Sequence, residues 1–308
     1  SLATPIAWIW ARTVKSPDPS WPGPVPLARS WVLANRPGKP IVWIEPIIDE
    51  TSRSISYVIR EGGHPPDGNV NRQGATCVAT GAPIPFAYIR SEAQAGRMSC
   101  ELMAVVAEGP KGRAYCSPDR SSKSQHDLPT VNGPSGSIFD WPGRMNVVRY
   151  GLDEWSKLFA PRQLLALTTF SELLGDVRSR IEADAVAAGL PLDGVRLRDG
   201  GDGATARADA VLTYLAFAID KCADYWSSIC SWHNTGEKIR NTFGRQAIPM
   251  TWDFAETNPF SSSTGNWMAM VDWVVKAIQS LPTGGAEGQT VQRDARARIA
   301  EVGQCVVS

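Results

Sequence analysis

Cations and amides set among aromatic rings are the side chains that hold phosphates, read base edges and stack on bases. They are densest here over residues 238–260, KIRNTFGRQAIPMTWDFAETNPF. Helical spacing puts Lys238, Asn241 and Arg245 on one face and Ile239 and Phe243 on another, so one side can pack while the other meets an anionic partner. Pro249 ends that predicted helix. Lys238, Arg240, Asn241, Arg245 and Gln246 are therefore candidates for phosphates and base edges, with Trp252 or Phe254 available for stacking. The competing reading is a solvated face on a packing helix. Arg162 and Gln163 are lesser candidates, because Pro161 places them in the first turn of a helix, where such residues also cap or pack.

Three other positions carry chemistry in principle. Asp294 follows a strand-like run, where an acidic residue of a doubly wound α/β enzyme hydrogen-bonds a nucleotide-like cofactor, or else caps the next helix. Cys230 and His233 have a ligand-like spacing but no second pair to complete a metal site. The glycine-rich RLRDGGDGATARAD lacks the preceding strand of a phosphate loop and reads as a linker.

The elements that must position these residues change character along the chain. Residues 1–150 are β-rich: TPIAWIWARTV alternates bulky residues, LARSWVLA, KPIVWIEPII and RSISYVIR form a meander, CVATGAPIPFAYIR reads as strand-turn-strand, and LMAVVAEG pairs with GRAYCS. Ser91 and Gln94 have capping-box spacing for a short helix through Met98. Residues 117–143, which include His126, form a long loop. From 151 to 285 the period is helical, with long helices from Pro161 to Gly189 and from Asp209 to Ile229, a third over the basic stretch, and a fourth capped by Thr264. Residues 286–308 read as strand, short helix, strand. The fold class expected is α+β or α/β.

The 308 residues carry 31 cations and 31 acidic side chains, so any nucleic-acid binding must come from a local patch. Six scattered cysteines without a CxxC pair indicate free thiols. No apolar run approaches the ~20 residues of a membrane helix and no signal peptide is recognisable, which predicts a cytoplasmic protein without a membrane partner. The first residue is Ser, and the strand-like GQCVVS ends without a turn or cap, which predicts a piece of a longer chain.

The segments IAWIWARTVKSPDP, PFAYIRSEAQAGRM, LFAPRQLLALTTFSELL, KIRNTFGRQAIPMTWDFAETNPF and VQRDARARIAEVGQCVVS resemble, in the same order, the large prokaryotic adenine-specific DNA methylases that carry a zinc-ribbon insert and are often found with phage-defence genes. The resemblance covers nearly the whole chain. It implies a degenerate ribbon-like β subdomain, a helical block and the start of a Rossmann-like methyltransferase sheet. It also implies S-adenosyl-L-methionine as cofactor, with Asp294 at its adenine end, and double-stranded DNA and defence-system proteins as partners. The activity implied is methyl transfer to a flipped adenine's amino group. The family's glycine-rich cofactor motif and Asp-Pro-Pro-Tyr motif are absent from this sequence, so the chain alone is expected to be inactive, with no catalytic residue assigned. Where zinc-bearing relatives place cysteine pairs, this chain has Ser16, Ser20, Cys77 and Thr80, which predicts no zinc. The alternatives are a nucleic-acid-binding module without chemistry and a structural scaffold.

Overall fold

The computed structural model describes residues 4–110, 112–118 and 128–282. Twelve strands and four α-helices form a mixed α+β architecture among these residues. Its organising element is β1 (Pro5–Lys15), an eleven-residue strand buried along most of its length. One edge of β1 pairs antiparallel with β8 (Ser99–Gly109), which continues to β9 (Gly112–Cys116). The other edge is shared by two short strands. β12 (Asp253–Thr257) covers Ala7 to Ala11, and β2 (Pro24–Leu27) covers Arg12 to Lys15. This sheet therefore draws strands from both sides of residue 150, and the segment after the long helices closes onto the first strand of the chain.

Burial on both faces explains why β1 carries large residues on successive positions. Ile6 and Ile9 join the main core with Trp21, Trp31, Ile84 and Ile89. Trp10 faces a smaller cluster with Leu102 and Phe254, stacking on Phe254 at 6.4 Å between ring centroids. Two residues further along the strand, Arg12 is buried as a cation, and among the described residues no carboxylate forms an ion pair with it. Its Nε donates to the Thr251 carbonyl at 2.8 Å, and its Nη2 donates to the carbonyl and hydroxyl of Ser228 at 3.0 and 2.8 Å. Burial lowers its pKa from the usual value. The guanidinium thereby ties β1 to the segment around Ser228 and, through Thr251, to the run into β12.

The expected meander forms as β3 (Val32–Ala34), β4 (Val42–Asp49) and β5 (Ser54–Glu61), all antiparallel. Asp49 closes the turn by accepting from the Thr51 and Ser52 amides. β6 (Gly74–Thr76) and β7 (Pro83–Pro85) make the next hairpin. The helix after it, α1 (Phe86–Gln94), starts five residues before the expected Ser91 and ends at Gln94, so FAYIR is helical rather than strand. Pro85, at the helix N-cap, supplies the fixed φ that the sequence reading spent on a strand.

Helix α2 (Pro161–Ala187) matches the strong 3.6-residue period, whereas α3 (Ala204–Tyr225) starts five residues before the expected Asp209, so ATARAD of the expected linker is helical, and ends four residues before Ile229. With α4 (Trp267–Gln279) they bury Ala218, Cys222, Trp226 and Met270 against Leu167 and Phe170. No described helix is long and apolar enough to cross a membrane. Residues 286–308, with Asp294 and the expected Rossmann-like piece, lie outside the described residues, as does His126.

Two expectations are corrected. The basic stretch forms no helix: Lys238–Arg240 is strand β11, paired with β10 (Ser231–His233), and residues 241–252 are irregular. Lys238 and Arg240 alternate with buried Ile239, a period of two that three residues could not distinguish from a helix turn, and Gly244 and Pro249 bracket the irregular part. The cap of α4 is Asn266, whose side chain accepts from the Ala269 amide at 2.9 Å and donates to the Ser263 carbonyl at 2.6 Å, so Thr264 lies outside the helix. Asn266→Ala should therefore lower unfolding free energy by about 1–2 kcal/mol in urea titrations, with Thr264→Ala nearly silent. The reverse order would return the cap to Thr264.

Candidate nucleic-acid interface

The irregular stretch after β11 is held against a second irregular segment. The Ile248 amide donates to the Arg144 carbonyl at 2.7 Å, the Asn146 amide donates to the Ile248 carbonyl at 3.2 Å, and Arg144 Nη1 donates to the Gln246 carbonyl at 3.1 Å. Arg144, Arg245 and Gln246 are all exposed along this seam. Residues 146–150 then coil into a 3-10 turn that ends at Gly151, where φ is 74°. A Cβ at that glycine would stand 2.7 Å from the Ala93 carbonyl oxygen, so only glycine lets the turn press against the end of α1.

That approach builds a recess of about 240 Å³. Phe86 and Arg90 enter it from one face of α1, Arg149 and Tyr150 from the 3-10 turn, Trp252 from the run into β12, and Arg29 from the end of β2. Its aromatic wall is mutually packed: Phe86 stacks on Trp252 at 5.9 Å, and Tyr150 meets Trp252 edge-on at 4.9 Å. The Arg90 guanidinium lies 5.5 Å from the Tyr150 ring centre, and its Nε is buried without a hydrogen-bond partner. Among the described residues no carboxylate forms an ion pair with Arg29 or Arg90, while Arg149 stands 4.0 Å from Asp140. Three guanidinium groups around an aromatic wall make an anion-holding concavity with flat surfaces beside it.

The compensating charge is Asp253, first residue of β12. Its Oδ1 accepts from the Arg29 amide at 2.9 Å. Burial pushes its carboxyl up to about 6, against the opposing pull of the Arg29 amide and guanidinium.

The sequence candidates are divided by the fold. Arg245 and Gln246 lie on the exposed seam beside the recess, whereas Lys238 and Arg240 are exposed on β11. Asn241 is not free to read a base, because its amide donates both to Asp224 Oδ1 and Oδ2, at 3.1 and 2.8 Å. Trp252 is 2% exposed, enclosed by Phe86 and Tyr150, and so is a wall of the recess rather than an open stacking platform. Phe254 is equally buried. Cys230 and His233 do not converge: the thiol bonds the Asp224 carbonyl at 3.4 Å, and His233 Nε2 meets the Thr235 hydroxyl at 3.2 Å.

Arg162 and Gln163 build a second arrangement. Arg162 Nε donates to Glu256 Oε1 at 2.8 Å, and the guanidinium lies 4.5 Å from the centre of the Trp8 ring. Trp10 Nε1 donates to the other Glu256 oxygen at 2.8 Å. Burial raises the Glu256 carboxyl, and these two donors oppose that shift. Arg29, Arg90, Arg144 and Arg149 escaped sequence reasoning because Arg29 follows β2, Arg90 lies on α1, and Arg144 and Arg149 lie in the irregular segment 144–150, with no period connecting them. Arg90 alone falls within a segment that carries the family resemblance.

Ser16, Ser20, Cys77 and Thr80, where the resemblance implies zinc cysteines, sit in or beside a hydrogen-bond cluster. Asp18 Oδ1 accepts from the Ser20 amide and hydroxyl at 2.9 and 2.8 Å, and Thr80 also bonds the carboxylate. Ser16 Oγ accepts from the Asp18 amide at 3.2 Å, and Cys77 is buried. Hydroxyls around one carboxylate and a single thiol do not fit a structural zinc. Comparison of the chain with protein-family models, curated proteins and solved structures finds no match to any of them.

The raised carboxyl of half-buried Asp253 gives a pH test of this geometry. Its folded pKa lies above the ~3.9 of an unfolded aspartate, so the folded state holds the extra proton between the two values, and stability falls as pH rises through about 4 to 6. Asp253→Asn keeps the acceptor for the Arg29 amide and removes the charge. Its melting temperature should exceed the parent's at pH 7.5, and that advantage should vanish toward pH 4. A constant difference across this range would mean that Asp253 titrates normally.

Proposed function

We propose that this chain is the DNA-holding part of an S-adenosylmethionine-dependent, adenine-specific DNA methyltransferase. The family resemblance supports the chemistry, and one observation carries the DNA-holding role: the convergence of Arg29, Arg90 and Arg149 on an aromatic-walled recess beside exposed Arg144 and Arg245. In a chain with no net charge, such a patch is the local feature that duplex binding requires. Guanidinium groups suit phosphate because their forked N–H donors pair with two oxygens at once. The aromatic wall holds one of these cations in place, Arg90, which lies over the Phe86 and Tyr150 rings.

The cofactor would supply the methyl group. Asp294, which the resemblance places at its adenine end, lies outside the described residues. The role of the described residues is positional: cations on the seam and recess fix the duplex so that a flipped adenine reaches chemistry carried elsewhere in the full protein. Defence-system proteins as further partners rest on the resemblance alone.

The test is DNA affinity measured against salt for the Arg29→Ala, Arg149→Ala double variant. Both residues are at the surface of the recess and neither carries the core. Loss of two phosphate contacts should weaken binding for every duplex sequence and reduce the slope of log K against log salt by about 2. Unchanged affinity and slope, in a variant with an unchanged melting temperature, would remove the recess from DNA binding.

A further inference from the structure

A second cavity, of about 260 Å³, lies across the sheet where α2 begins. Arg162, Gln163, Trp8, Glu256, Asn258 and Phe260 are among its lining residues. Its volume is just below the ~300 Å³ lower end of small-molecule sites. Two of its donors have no partner among the described residues. Arg162 Nη2 and Gln163 Nε2 are buried and unbonded, and Gln163 itself is 3% exposed. The amide orientation is fixed rather than arbitrary, because Gln163 Oε1 accepts from the Ala160 amide at 2.8 Å as the helix starts. Rotating it to hide Nε2 would break that bond and leave the Ala160 N–H orphaned.

A buried donor without an acceptor is costly, on the order of 1–3 kcal/mol, and two in one cavity point to a ligand that supplies acceptors. The charge state narrows the choice. Arg162 is already neutralised by Glu256, which is 4% exposed and bonded through both oxygens. A formal anion would leave the cavity with a net negative charge, whereas a neutral group with acceptor atoms would not. The walls narrow it further. Trp8 is held flat by the Arg162 guanidinium, and Phe260 is 80% exposed although it contacts Phe170 at 5.9 Å between ring centres. An aromatic ring kept in water at a cavity mouth offers a face to a planar partner.

We propose that this cavity holds a guanine base, with its O6 and N7 acceptors on Arg162 Nη2 and Gln163 Nε2 and its ring against Phe260. Guanine is the base whose exposed edge carries two neighbouring acceptors, and adenine places an amino donor beside N7 where these two donors would oppose it. The inference rests on the nucleic-acid reading above and assigns it a base-reading site. The base belongs either to a free nucleoside or to DNA.

Guanosine and adenosine, titrated onto the whole chain by saturation-transfer NMR, test the cavity without any phosphate. Guanosine should bind about tenfold tighter than adenosine. Gln163→Glu keeps an oxygen for the Ala160 amide and replaces the free donor with an acceptor. Phe260→Ala alters an exposed ring. Phe260→Ala should weaken guanosine by about tenfold while the melting temperature holds, and Gln163→Glu should weaken it by about tenfold when measured well below its own melting temperature, which the added buried carboxylate lowers. In a second arm, a duplex in which 7-deazaguanine replaces guanine should bind more weakly than its parent, and Gln163→Glu should abolish that difference. Success in both arms places the guanine in DNA, and success with guanosine alone places it in a free nucleoside. A positive duplex arm without detectable guanosine binding also supports the site, with DNA as the source. Equal binding of the two nucleosides with no effect of the deaza base overturns the proposal. It does so without touching the arginine recess, whose failure is read separately in the salt slope.

Discussion

A single buried carboxylate joins the two halves of this protein. Glu256 sits on β12, which comes late in the chain, and bonds Trp10 on β1 and Arg162 on α2. Removing a carboxylate from water costs several kcal/mol, and that cost is offset only when both oxygens find good donors. The arrangement is therefore stable only with β12 paired to β1 and the start of α2 laid over the same face. That is why the Arg162 guanidinium lies over the Trp8 ring, and why Arg162 Nη2 and Gln163 Nε2 are buried beside it.

The same strand carries the other site. Trp252 and Asp253 bring β12 in beside the arginine recess, and Glu256, Thr257 and Asn258 leave it along the second cavity. The recess thus lies at the start of β12 and the second cavity at its end.

What the sequence displayed followed the strength of its periodicity. The 27 residues of α2 and the bulky alternation of β1 were legible because long repeats average out local ambiguity. The basic stretch was not, because Lys238–Arg240 is three residues long, and Asn241 and Thr242 take conformations fixed by distant Asp224 rather than by their neighbours. Asn266 was hidden behind Thr264 for a similar reason: two good capping residues two positions apart are separated only by tertiary context. At the candidate site, Arg162 and Gln163 were visible through Pro161. The recess arginines come from α1, β2 and the 144–150 segment, and no local pattern connects residues that meet only after the sheet closes.

The central claim is that the surface around the arginine recess faces DNA. Photocrosslinking of the whole chain to a duplex carrying 5-iododeoxyuridine at successive positions, with the attached peptides identified by mass spectrometry, tests it most directly. The account predicts attachment within residues 86–90, 144–150 and 241–252. Crosslinks confined to the exposed faces of α3 and α4, or to the β3–β5 meander, would contradict it.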